Sequence, residues 1–227
     1  QRAVVTDVIP GNTATFVVSE FDSTTAWRYR VRYVLDGEAH VYVGEIPAEP
    51  TADTFTVAAF TGNHNVRFGF GRPNFPWDAS AIWYPHQDIV SAVEQQGPDL
   101  LFFSGDQVYE GASPTPADQS GGRTTELDYL YKWYLWCVAF RDLTRRLPTV
   151  CEPDDHDVYH GNIWGAGGKA TDGGGMAGQD SGGYKHKPAF VKMVERTQCS
   201  HLPDPYDPRP VQQGIGVYFT ALQWGGV

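Results

Sequence analysis

The chain has 227 residues, of which 41% are hydrophobic and 14% aromatic, so it can bury a real core and wholesale disorder is excluded. Its formal charge of −10 argues against binding to duplex nucleic acid, because phosphate backbones are held by clustered Lys and Arg. No apolar run approaches the roughly 20 residues that a helix needs to span a bilayer. Cys137, Cys151 and Cys199 allow one disulfide at most and leave the redox compartment open.

Residues 1–50 predict a small antiparallel β module of the sandwich type. Asp36 and Gly37 separate two strand-like runs and predict a hairpin turn between them. The polar face of the first of these runs carries Arg28, Arg30 and Arg32, which predicts a solvated strand face, with contact to an anion as the alternative. The alternating runs that predict strands are 13–19, 27–34 and 40–43.

After a proline-containing linker, residues 54–227 change to an α/β pattern. Short apolar runs alternate with amphipathic helical segments, and this order favours a parallel sheet covered by helices. Gly97 is suited to cap the first helix. The predicted strands are 54–60, 99–104, 148–151 and 217–222, and the predicted helices are 85–96, 124–143 and 187–200.

The helix at 124–143 is the longest, and its apolar stripe is predicted to pack on the sheet. A ligand-binding box is the alternative for so aromatic a stripe. Its members recur at three- and four-residue spacing: Leu127, Leu130, Tyr131, Tyr134, Leu135 and Val138.

Residues 161–183 contain ten glycines and lack the Gly-x-x-x-x-Gly-Lys-Ser/Thr phosphate loop, so they predict a long flexible loop, with a lid over the site as one role. Trp77, Trp83 and Trp164 lie in loop-like segments. They support a third function class, a carbohydrate-binding module, which would bind glycans whether or not metal is removed.

Acidic and aromatic side chains follow two of the predicted strands, at the edge where α/β sheets form their sites. Asp106 and Tyr109 follow the strand at 99–104, and four consecutive titratable residues, 154–157, follow the strand at 148–151. Adjacent carboxylates repel one another unless a cation compensates them. Carboxylates with a phenol suit a hard metal ion, whereas capping turns are the structural alternative.

The run Gly105-Asp106-Gln-Val-Tyr109-Glu110, followed by Pro148-Thr-Val-Cys-Glu-Pro-Asp154-Asp155-His156-Asp157, resembles the PhoD-like alkaline phosphatases. That family belongs to the calcineurin-like metallophosphoesterases. The resemblance implies an α/β/β/α sandwich after a β-rich N-terminal module. It also implies metal-dependent hydrolysis of a small phosphate ester, monoester or diester, by a metal-activated hydroxide. Export from the cytoplasm is expected from the family alone, and oligomeric state is left open.

The resemblance also implies a dinuclear metal site, with Fe(III) and Ca²⁺ or another divalent ion such as Mn²⁺, Mg²⁺ or Zn²⁺. Asp106 would bridge the two metals, and Tyr109 and Asp155 would each bind metal. His156 would contact the phosphoryl group, and Asp157 would orient the His156 imidazole.

Two departures from the family pattern limit what the resemblance implies. The superfamily's opening Asp-x-His is absent, so Asn63 or His64 becomes the substitute ligand after the strand at 54–60. The later metal ligands of the family lie beyond the point where this chain stops, so we expect a C-terminal portion to be missing. A catalytically inactive, binding-only relative with an incomplete metal site is therefore the alternative function.

Overall fold

The computed structural model describes residues 2–5, 11, 13–67, 78–82, 84–111, 115, 118–159, 167–216 and 219–227. The strands of this part are β1 (Arg2–Val5), β2 (Ala14–Val17), β3 (Trp27–Leu35), β4 (Glu38–Ile46), β5 (Val57–Phe60), β6 (Val66–Arg67), β7 (Asp78–Ile82), β8 (Leu100–Phe103) and β9 (Thr149–Cys151). Its helices are α1 (Gln87–Gln96), α2 (Gly122–Thr144), α3 (Gly175–Asp180) and α4 (Pro188–Cys199), with 3₁₀ turns at His156–Val158 and Gln212–Gly214. The fold is mixed α/β.

The N-terminal region consists of antiparallel strand pairs. β1 pairs with β2, and β3 pairs with β4 along nine residues each. Leu35 lies opposite Glu38, and the two residues between them have φ angles of 51° and 82°. Such left-handed angles match the twist of a tight hairpin, so the turn predicted at Asp36 and Gly37 is confirmed.

A parallel sheet in the order β5-β8-β9 carries the second half of the fold. Phe103 pairs with Phe60 on one side and with Cys151 on the other, so all three strands end at one edge. Leu101 and Phe103 of the central strand are fully buried. The predicted parallel sheet is therefore confirmed, as are the helices at α1 and α4 and the Gly97 cap of α1.

Helix α2 packs on this sheet through a face that differs from the predicted one. Trp136 and Phe140 lie against Phe103, with ring centroids 4.8 and 5.3 Å apart. Four members of the predicted stripe are instead exposed: Leu127 (49%), Tyr131 (53%), Tyr134 (60%) and Val138 (37%). That prediction was wrong because α2 has apolar residues on two faces, and the stripe that meets the sheet is the one with the buried indole and phenyl rings.

The C-terminal segment does not add a strand in its described part. Residues 217–218 lie outside the described residues, and residues 219–222 have no strand pairing. The Phe219 carbonyl accepts the Tyr206 N–H (2.9 Å), and the Thr220 hydroxyl donates to the Asp204 carbonyl (2.9 Å). The predicted fourth strand is thus wrong for these residues, because the segment bonds to Asp204 and Tyr206 instead of pairing with the sheet.

The glycine-rich segment is partly ordered by hydrogen bonds. Within 167–183 the chain forms α3, and the Thr171 N–H donates to the Tyr184 carbonyl (3.0 Å). Residues 160–166, which include Trp164, lie outside the described residues, as do Trp77 and Trp83. The predicted lid and the carbohydrate-binding alternative therefore stay predictions.

The cysteines, all three of which are in the described part, are free thiols. Burial raises the pKa of Cys137 to about 12, so this thiol is unreactive at neutral pH. Among the described helices, none combines the length and the apolarity needed to cross a membrane.

Candidate metal centre

The site forms where the loops after β8 and β9 touch. Gly105 has a φ of 109°, a conformation that favours glycine. A Cβ atom at this position would lie 2.3 Å from Cβ of Asp154. Glycine therefore permits a contact that no other residue would allow, and it brings Asp106 beside the acidic run at 154–157.

Asp157 joins these loops from below the surface, where its side chain is fully buried. Its Oδ2 atom accepts the backbone N–H groups of Asp106 (2.7 Å) and Asp154 (2.9 Å). Its Oδ1 atom accepts the Val108 N–H (2.9 Å) and Nε2 of Gln198 (2.8 Å). Burial raises the pKa of Asp157 to about 7, while these four N–H donors favour its ionised form.

Three side chains converge above this carboxylate: Asp106, Asp155 and His156 each offer one ligand atom, and these atoms lie within 4.8 Å of one another. All three side chains are half-buried. Burial raises the pKa of Asp106, and the nearby carboxylates of Asp155 and Asp154 add to this effect. A cation would relieve both the burial and the repulsion.

Tyr109 lies at the centre of the aromatic part of the site. Its hydroxyl donates to Oδ2 of Asp106 (3.2 Å), and its ring lies between those of His64 (centroids 4.5 Å apart) and His156 (4.7 Å). Burial, together with the charge of Asp106, raises the pKa of Tyr109 well above its usual value. The phenol is therefore protonated at neutral pH when no cation is bound.

The loop after β5 reaches the same place through its backbone. The Gly62 N–H donates to the Gly105 carbonyl (3.3 Å) and the Asn63 N–H to the Asp106 carbonyl (2.9 Å). A Cβ at Gly62 would lie 2.9 Å from the Tyr109 hydroxyl. Asn63, the predicted substitute ligand, is thus placed next to Asp106, and His64 lies against Tyr109.

The imidazole of His156 is held by a residue for which the sequence suggested no role. Its Nδ1 atom lies 2.7 Å from Oε2 of Glu110. This bond raises the pKa of His156 to about 9, against the effect of burial. The prediction that Asp157 orients this ring differs from the observed contacts, because all four hydrogen bonds to Asp157 come from other groups. The only sequence signal for Glu110 was an acid directly after Tyr109.

No protein-family model matches the sequence, and no curated protein matches it. Among solved structures, the chain is similar to a structure of PhoD, with a TM-score of 0.48 and 16% identity over 89% of this chain and 35% of that one. It is also similar to the purple acid phosphatase PPD1 from yellow lupin (Lupinus luteus) seeds, with a TM-score of 0.43 and 15% identity over 82% of this chain and 27% of that one. The chain thus spans about a third of the first protein and less of the second.

Proposed function

We propose that the chain is a metal-dependent hydrolase of phosphoric esters of the PhoD-like type, acting on a small monoester or diester outside the cytoplasm. The observation that supports this most is the convergence of Asp106, Asp155 and His156 from two strand ends, with ligand atoms within 4.8 Å. The motifs that carry these residues are the ones that resemble the family.

The residues present fit a hard cation. Oδ1 of Asp106 is buried and has no hydrogen-bond partner among the described residues. A buried carboxylate oxygen without a partner is costly, and a metal ion would satisfy it. Carboxylate, amide and phenol oxygens suit Fe(III), Ca²⁺, Mn²⁺ or Mg²⁺, and Zn²⁺ accepts the same set with histidine. In our proposal Asp106, Tyr109, Asp155 and Asn63 would be the residues of this chain that hold the metal ions.

Bound metal ions would supply an activated nucleophile and positive charge at the phosphoryl group. The chain's own contribution begins with His156, whose Nδ1 is held by Glu110. Because Glu110 engages Nδ1, Nε2 is the nitrogen of this ring that would face a phosphoryl oxygen as negative charge grows there. Asp157 keeps the loops that carry Asp106 and His156 at a fixed separation.

Metal analysis combined with a hydrolysis assay tests the proposal. We expect the purified chain to contain metal by mass spectrometry and to hydrolyse p-nitrophenyl phosphate or its bis ester. In Asp106→Asn the metal content should fall, and the rate should drop roughly 100-fold or more, because a ligand is lost.

The matched control is Asp154→Asn, which removes a charge from the same acidic run but leaves the three grouped residues intact. It should retain metal and activity. A wild-type chain that binds no metal at any concentration tested would contradict the proposal and leave the binding-only relative as the function.

A further inference from the structure

Helix α2 carries a buried ion pair whose two residues are not among the predicted ligands of the site. Nζ of Lys132 lies 3.0 Å from Oδ2 of Asp128, and the two side chains are only 2% and 7% exposed. Removing two charges from water is expensive, and the attraction between them repays this only when further hydrogen bonds complete their shells. The identity of those further partners therefore shows what the pair holds in place.

Each member of the pair also makes a hydrogen bond to a residue outside α2. Nζ of Lys132 donates to the carbonyl of Gly111 (2.8 Å), and the hydroxyl of Tyr159 donates to Oδ2 of Asp128 (2.5 Å). Lys132 also lies over the Tyr159 ring, 5.6 Å from its centroid. One ion pair on one helix thus binds two separate loops.

These two loops carry the two halves of the Glu110–His156 contact. Gly111 directly follows Glu110 in the chain. Tyr159 closes the 3₁₀ turn that His156 opens, and its N–H donates to the His156 carbonyl (2.9 Å). The Glu110 carbonyl also accepts a hydrogen bond from Nε2 of the exposed Gln119 side chain (3.2 Å).

We propose that the Asp128–Lys132 pair is a positioning device that sets the separation of Glu110 and His156. This inference rests on the proposed function, in which His156 contacts the phosphoryl group. The pair touches no substrate itself. It acts by holding the Gly111 carbonyl and the Tyr159 hydroxyl at one fixed point of α2, so that Glu110 Oε2 stays within hydrogen-bond distance of His156 Nδ1.

The test observes the imidazole directly, in the metal-free protein. In a sample with ¹⁵N-labelled histidine, the Nδ1–H proton of His156 should give a slowly exchanging signal, assigned by its loss in His156→Gln. In Lys132→Met, which loses the ammonium group but keeps an unbranched side chain, we expect this proton to exchange at least about tenfold faster because the hydrogen bond to Glu110 opens more often.

Leu143→Ala is the matched control. It removes a buried side chain at the far end of the same helix and so destabilises the fold without touching the pair. Its His156 signal should stay as in the wild type. If Lys132→Met retains a slowly exchanging signal while Leu143→Ala does too, the pair is only a source of stability and the proposal is overturned.

A second variant decides the matter if Lys132→Met does not fold. Tyr159→Phe removes a single hydroxyl and keeps the ring that packs on Phe190. It should also make the same proton exchange faster, and an unchanged signal would overturn the proposal.

In the hydrolysis assay Lys132→Met should lower kcat about 10- to 100-fold with KM nearly unchanged. The exchange measurement needs neither metal nor substrate, so its result can be interpreted even if the chain does not hydrolyse phosphate esters.

Discussion

A single carboxylate, that of Asp157, accepts hydrogen bonds from three separate segments: the loop after β8, the loop after β9 and helix α4. Two residues earlier, Asp155 belongs to the group that can hold a metal ion. These two acids share one short stretch of sequence and one chemistry. Their different burial gives them different tasks, because a fully buried carboxylate must be bonded to the protein whereas a half-exposed one can serve a ligand.

Substitution of each acid by Asn should separate these tasks. Asp157→Asn replaces an oxygen acceptor with an amide NH₂ that faces N–H donors, so we expect the free energy of unfolding to fall by about 3 kcal/mol. Asp155→Asn should not lower it in metal-free protein, since the substitution removes a charge that repels the carboxylate of Asp106. Urea denaturation of both variants without metal checks this, and equal losses would contradict the assigned roles.

At the scale of elements, helix α2 contacts both the loops of the candidate site and the parallel sheet. Its first half holds the loops of the site through Asp128 and Lys132, and its second half packs Trp136 and Phe140 on the central strand. Four of its other apolar side chains are exposed, namely Leu127, Tyr131, Tyr134 and Val138, and the rings of Tyr131 and Tyr134 stack on each other at 6.5 Å. One apolar face of the helix is therefore buried and the other is exposed, although both appear as apolar stripes in the sequence.

The two stripes of α2 should differ sharply in their contribution to stability. Phe140→Ala leaves a cavity between helix and sheet and should cost about 3–5 kcal/mol. Tyr134→Ser, on the stripe that the sequence pattern favoured, should cost no more than about 0.5 kcal/mol. Thermal and urea unfolding of the two variants measure this, and a large loss in Tyr134→Ser would show that the exposed stripe is covered in solution.

At the scale of the whole molecule, the fold and the site differ in how far the sequence predicts them. The turn at Asp36 and Gly37, the central strand β8 and the helix α4 are local patterns, so they could be found from the sequence. So could the proximity of Asp106 and Asp155, because parallel strands end at a shared edge.

What could not be found depends on contacts between distant segments. The Asp157 carboxylate bonds to a backbone N–H of Val108, 49 residues away. The bond from Glu110 to His156 spans 46 residues. The periodicity of α2 shows that a stripe exists but not which stripe meets the sheet, since that choice is made by the shapes of both partners. Direction and depth of side chains are tertiary properties, and a one-dimensional pattern does not contain them.

His86 links three parts of the molecule and predicts a pH dependence of folding. It precedes α1, its Nε2 atom lies 2.9 Å from Oδ1 of Asn65, and its ring stacks on Phe140 at 5.8 Å. Burial lowers the pKa of His86 below 6.5, although Asp88 opposes this. The unfolded chain therefore binds a proton that the folded chain excludes, so stability is full above pH 6.5 and falls as the pH drops below it.

The variant His86→Asn should show a smaller loss of thermal stability between pH 7 and pH 5 than the wild type. Asn suits this position because it tolerates the left-handed backbone, at a φ of 58°. Differential scanning calorimetry at a series of pH values measures the effect. Parallel stability curves for the two proteins would show that His86 does not contribute to the pH dependence.

The four hydrogen bonds to Asp157 also bear on how a lineage of such chains can change over generations. Asp157, which holds the loops of the site together, is distinct from the residues that would bind the ion. Selection for the fold and selection for the chemistry therefore act on different positions. A descendant that loses the proposed hydrolysis can exchange Asp106 or Asp155 and keep its shape, whereas an exchange at Asp157 would destabilise the fold as well. Among relatives of this chain, an aspartate at this position should therefore outlast the activity.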